Sequence, residues 1–108
     1  MIKVFISQPM SGRSEEDILS ERLDVLRWIL DSYGHAEIID SYISEFPPQG
    51  VNDGVWYLAK SLEFLSEADV AYFAQGWEDA RGCQIEHAVA ESYGIPIIEN
   101  RDTLTHWL

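Results

Sequence analysis

The run Gly76-Trp77-Glu78-Asp79-Ala80-Arg81-Gly82-Cys83-Gln84-Ile85-Glu86-His87 gathers carboxylates, a guanidinium, a thiol and an imidazole in what reads as a loop entering a helix. Ahead of it, Ala68-Asp69-Val70-Ala71-Tyr72-Phe73-Ala74 has the β-branched, aromatic and small residues of a strand buried on both faces. The loop therefore leaves the carboxyl end of a strand, the edge at which open α/β sheets bind ligands. Glu86 is expected in the first turn of the following helix, where the backbone dipole favours an ionised carboxylate, and a carboxylate so placed can act as a nucleophile. The plainer reading is an acidic residue that decorates a helix start. Position favours the first reading. Ile85, Ala88, Val89 and Ser92 form the small apolar face expected to pack on the sheet, and Glu86 lies off that face.

The other reactive groups sort quickly. A nearby carboxylate raises a thiol pKa rather than lowering it, so Cys83 reads as packing. His35, His87 and His106 show no metal-ligand spacing, and neither a metal nor another cofactor is expected. Ser7-Gln8-Pro9-Met10-Ser11-Gly12-Arg13 forms a second loop whose small and polar residues could bring backbone N–H groups and Arg13 against an anion. It is equally a strand-to-helix turn with Ser14 as N-cap, and the two readings are compatible. Arg13 and Arg81 both fall in ligand-edge loops, where a phosphate would need them.

Four strands and four helices are expected to position these groups. Residues 2–7 open the chain as a strand, and Leu19, Leu23, Leu26, Leu30 and Tyr33 then recur at helical steps, with Ile18, Val25 and Ile29 widening the stripe. That helix should cover the sheet and end at Gly34. Ala36-Glu37-Ile38-Ile39-Asp40 is a second strand with Asp40 at its carboxyl end, and residues 41–54 form a long loop carrying Tyr42, Phe46 and Pro47-Pro48. Such a loop is a mobile aromatic flap or a proline-stiffened strut. A second helix runs from about Asp53 to Ser66, with Val55, Leu58, Leu62 and Leu65 inward. The third helix stops at Gly94, Ile95-Pro96-Ile97-Ile98 is the last strand, and residues 102–108 suggest a short capped helix. The alternation implies one α/β domain over residues 1–108, a three-layer α/β/α sandwich on a parallel sheet of four to five strands, Rossmann-like or flavodoxin-like.

Composition narrows the partners. A formal net charge of −12 argues against nucleic-acid polymers and anionic membranes, which demand a basic surface. A small anionic ligand held locally remains open. A lone cysteine and an opening stretch too short and polar-interrupted for a signal peptide point to the cytoplasm. Trp28, Trp56, Tyr57 and Trp107 are more aromatic surface than a small sheet needs, which suggests a homo-oligomer.

Val4-Phe5-Ile6-Ser7-Gln8-Pro9-Met10-Ser11-Gly12, Ser66-Glu67-Ala68-Asp69-Val70, Gly82-Cys83-Gln84-Ile85-Glu86-His87-Ala88-Val89-Ala90 and Gly94-Ile95-Pro96-Ile97-Ile98 together resemble the nucleoside 2-deoxyribosyltransferase superfamily, in particular a short bacterial and phage branch. The resemblance implies cleavage of the N-glycosidic bond of a nucleoside or nucleoside 5′-monophosphate. Glu86 matches the glutamate that attacks the anomeric carbon, and another base or water resolves the covalent intermediate. Phe5, Ser7, Gln8, Met10, Ser11, Gly12 and Arg13 occupy the stretch that contacts base, sugar or phosphate. Asp40, Gly76, Trp77, Asp79, Arg81 and Gly82 complete the expected site, with Trp77, Phe5 and Met10 around the base. Three positions depart from the pattern: Phe5 stands for a tyrosine, Ser61 for a proton-handling aspartate, and Ala80 for an aspartate whose nearest substitute is Asp79. Asp40 or Asp79 would then supply the proton. The alternative is a module that keeps the pocket without chemistry and senses or sequesters a nucleotide.

Overall fold

The structure, a computed structural model, is described here for residues 1–41 and 43–99. Tyr42 and the expected C-terminal helix over 102–108, with His106 and Trp107, lie outside the described residues. The elements run β1 (Ile2–Ser7), α1 (Glu15–Tyr33), β2 (Ala36–Ile38), α2 (Asp53–Leu65), β3 (Val70–Phe73), α3 (Arg81–Ser92) and β4 (Ile97–Ile98), with a 3-10 turn over Trp77–Asp79. The four strands form one parallel sheet in the order β2-β1-β3-β4.

Strand alternation sorts the core into two layers. Ile2, Val4 and Ile6 of β1 face α1, where Val25 and Ile29 close over them with Val70, Tyr72 and Ile98. Phe5 faces the other way and joins Leu65 of α2, Ala71 and Phe73 of β3, and Ala90 of α3. Helices thus cover both faces of the sheet, as expected of a three-layer α/β/α sandwich. Because β1 is central, pairing with β2 on one side and β3 on the other, the loops after β1 and β3 leave toward opposite faces. A crevice opens at that switch point.

Helix ends follow local chemistry. Ser14 accepts from the Asp17 amide and Asn52 from the Val55 amide, each satisfying a first-turn N–H. Gly34 closes α1 in the left-handed region at φ 83°, where only glycine is unstrained.

Several expectations need correction. The sheet-facing side of α1 is Val25 and Ile29, while Leu19, Leu23, Leu30 and Tyr33 of the expected inward stripe are exposed. In α2, Leu65 is buried but Val55, at the opposite end, is exposed. In α3 the inward residues are Cys83, Glu86 and Ala90, with Ile85, Ala88 and Ser92 exposed. Strands β2, β3 and β4 are shorter than the apolar runs that announced them.

Candidate functional site

The crevice at the switch point has a volume of about 1030 Å³. Its walls come from the ends of β1, the first turns of α1, the chain after β2, one face of α2 and the start of α3. Of the residues expected there, Ser7, Gln8, Met10, Arg13, Asp40, Gly82 and Glu86 line it.

Glu86 is built into the wall by three elements. Ser7 is two residues from Phe5 on β1 and so points to the same face of the sheet, where its hydroxyl donates to Glu86 Oε1 at 2.8 Å. From α2, the Ser61 hydroxyl donates to Oε2 at 2.5 Å. Glu86 is only 6% exposed, and no ion pair to it exists among the described residues. Burial raises its pKa above the ordinary glutamate range, and the Ser61 and then the Ser7 hydroxyl pull it back down. The placement corrects the expectation of a first-turn carboxylate held off the packed face. Since α3 begins at Arg81, Glu86 lies in the second turn on the buried face, and hydroxyl donors rather than the helix terminus hold it.

A second network forms the α1 side. Gln8, buried at the end of β1, donates through Nε2 to the Ile18 carbonyl at 3.1 Å and to Glu21 Oε1 at 2.8 Å. Its own Oε1 accepts from Arg22 Nε at 2.6 Å, and Arg22 Nη2 donates to Ser41 Oγ at 3.2 Å. Burial lowers the Arg22 pKa, with the Asp40 charge opposing. Arg13, expected to hold an anion, instead pairs with Glu21 Oε1 at 2.8 Å and donates to the Pro9 carbonyl. The floor is therefore cross-linked by charge-assisted bonds before any ligand arrives.

The family described as a domain of unknown function, DUF4406, matches residues 2–99. The chain belongs to that family. No curated protein and no solved structure matches the chain. The matched span contains every residue that lines the crevice of this DUF4406 domain.

The remaining expected residues stand elsewhere. Phe5 is 1% exposed in the core beneath the crevice, with no face left for a ligand. Trp77 stacks on His87 at 3.9 Å between ring centroids, 4° from parallel, and meets Phe73 edge-on, so its ring is committed to the far side of α3. Ser11, Gly12, Gly76, Asp79 and Arg81 are not among the lining residues. Gly76 turns at φ 90° directly behind Pro9, which explains a glycine there without a ligand.

Sequence reasoning missed Arg22, Tyr57, Leu58 and Cys83 as lining residues, and Ser61, singled out there only as a departure from the resembled pattern, lines the crevice as well. One signal was available for Arg22: a polar Gln8 ending a central strand needs buried partners, and the helix that follows must supply them. Cys83 is buried as expected; burial chiefly raises its thiol pKa, the Ser7 hydroxyl opposes, and the Glu86 charge adds. Among the described residues no group of three or more His, Cys, Asp or Glu could hold a metal, and no helix is long and apolar enough to cross a membrane.

Proposed function

We propose that the domain cleaves or transfers the N-glycosidic bond of a nucleoside or nucleoside 5′-monophosphate, with Glu86 as nucleophile. The observation that carries this reading is a buried carboxylate in a crevice wall whose two oxygens accept from Ser7 and Ser61 rather than from a cation. A Glu86 oxygen attacks the anomeric carbon as the bond to the base nitrogen breaks, its electron pair leaving with the base. Water or a second base then attacks the same carbon and frees the carboxylate. Hydroxyl donors suit both steps, since they steady the anion without neutralising it as an arginine would.

The departing base needs a proton, a contribution typically worth roughly 10²–10⁴-fold. Of the two aspartates considered for that role, Asp40 lines the crevice and Asp79 does not, so Asp40 supplies it directly or through water. Tyr57, Leu58, Ile18 and Met10 give the apolar surface a base requires, in place of Phe5 and Trp77. No side chain caps α3, and Gly82 at its start lines the crevice, which leaves first-turn amides to receive an anionic oxygen.

One observation favours the second reading, a nucleotide-binding module without turnover. Two serine hydroxyls are also what a buried carboxylate needs merely to be satisfied. Incubation with a panel of deoxynucleosides and their monophosphates separates the two. Release of free base, lost in Glu86→Ala, is the expected result. Tight binding with no release, unchanged in Glu86→Gln, would establish the module instead.

A further inference from the structure

A second hollow, of about 330 Å³, opens where α1 lies over β3, and we propose that it is a binding site for an aliphatic polyamine. Asp17, Glu21, Asp24 and Trp28 line it from α1 at steps of four, three and four residues, and so share one side of that helix. Val25 and, from β3, Tyr72 supply its apolar floor. Arg13 is the one lining residue it shares with the crevice among those described.

Two independent observations say that this hollow wants a ligand. Tyr72 is only 6% exposed, and among the described residues its hydroxyl makes no hydrogen bond. Fully buried side-chain oxygens in the described chain all have a partner, so this hydroxyl goes unpaired only because it opens on the hollow. Burial, with the Glu21 charge adding, raises its pKa, and it therefore faces the hollow as a neutral hydroxyl. Charge is the second observation. Glu21 Oε1 accepts from Gln8 and Arg13, whereas the Asp17 and Asp24 carboxylates have no ion pair among the described residues. Three carboxylates against one guanidinium leave two negative charges uncompensated. Like charges three and four residues apart on a helix repel, and a bound cation relieves that repulsion.

The spacing selects the kind of cation. Asp17 and Asp24 stand about 10 Å apart along the axis at 1.5 Å per residue, too far for one metal ion to bridge. The surface between them is apolar and aromatic, with Trp28 meeting Tyr72 edge-on at 6.2 Å between ring centroids. Such walls favour an alkylammonium, which has methylenes to bury, over a hydrated inorganic ion. A chain carrying ammonium groups at intervals reaches both aspartates, lays its methylenes on Val25 and Trp28, and donates to the Tyr72 oxygen. The binding does not depend on what Glu86 does.

Calorimetric titration of the full chain with spermidine at low salt tests the site. Saturable one-to-one binding is expected. Tyr72→Phe keeps the ring and its contact with Trp28, and should weaken binding several-fold. Asp17→Asn with Asp24→Asn, at exposed positions that do not hold the core, should weaken it about tenfold, since each exposed ion pair is modest. Glu63→Gln with Glu67→Gln removes two charges on and just after α2, away from the hollow, and should change little. Mg²⁺ at equal ionic strength should compete poorly. No saturable binding to the wild type, or an affinity unchanged in Tyr72→Phe, overturns the site. Equal losses in the two double variants, or ready displacement by Mg²⁺, also overturn it, because an acidic chain would then be gathering counterions without a pocket.

Discussion

The Ser61 hydroxyl donates to Glu86 Oε2 at 2.5 Å, tying α2 to α3 across the wall of the crevice. A carboxylate in the place of this serine would have an electrostatic consequence. Two carboxylates sharing a site drive one of them to keep its proton. A hydroxyl in that place donates instead, and favours the charged form of Glu86 against the burial that opposes it. The hydroxyl is no acid for a leaving base, and in the proposed reaction that role falls to Asp40.

Ser61→Ala should therefore do two things. It leaves a buried carboxylate oxygen short of a donor, at a cost of about 1–3 kcal/mol read as a lower urea midpoint. It also raises the Glu86 pKa further, because the lost hydroxyl was lowering it. The acid limb of any Glu86-dependent base release then moves to higher pH. An unmoved limb alongside a lowered midpoint would show Ser61 to be structural only.

Glu86 itself predicts how stability varies with pH. Its carboxyl titrates above the ordinary glutamate range in the fold because burial penalises the charge. A proton held more tightly in the native state stabilises fully below the unfolded-state pKa and is lost as pH rises through the raised value. Glu86→Gln has no such proton to lose. Its Tm relative to wild type should climb as pH goes from about 4 to 8, across the range where a raised carboxyl titrates. A wild-type advantage that grows with pH would reverse the sign.

Cys83 should be a slow thiol. It is buried, its pKa is raised chiefly by that burial, and the Glu86 charge adds to the shift. Alkylation of the folded protein at neutral pH should lag well behind alkylation in urea. In Glu86→Gln the added charge is gone, so the pH midpoint of the reaction should fall.

Arg22→Ala should loosen the chain after β2. Arg22 joins Gln8 at 2.6 Å to Ser41 at 3.2 Å, and its loss leaves the buried Gln8 oxygen unpaired. Limited proteolysis within residues 43–52 should accelerate several-fold while cleavage elsewhere is unchanged. Arg22→Lys should rescue this only in part, since one ammonium cannot reproduce two divergent guanidinium bonds.

Much of this was legible in one dimension. The alternation of short apolar strands with amphipathic helices, the serine and asparagine caps, the glycine ends and the packing role of Cys83 are all local, set by residues within a turn or two of one another. Glu86 was found the same way, as a carboxylate close after the carboxyl end of a buried strand. What escaped depends on direction. Periodicity said that α1 has an apolar stripe but not that it has two, and only docking against Val4 and Ile6 selected Val25 and Ile29 for the sheet. Phe5 and Ser7 share one face of β1, yet Phe5 packs among Leu65, Ala71, Phe73 and Ala90 while Ser7, nearer the carboxyl end of the sheet, meets Glu86 in the wall of the crevice.

By itself the sequence determined the layered α/β class, the order of its elements and the strand edge where a ligand site would lie, since these follow from short-range pattern and chirality. The tertiary structure alone decided that Glu86 is buried between two serines drawn from elements distant in the chain, and that Arg13 is spent on Glu21 while Arg22 joins the floor of the crevice. Those pairings rest on contacts between residues far apart in sequence, whose geometry no local spacing encodes.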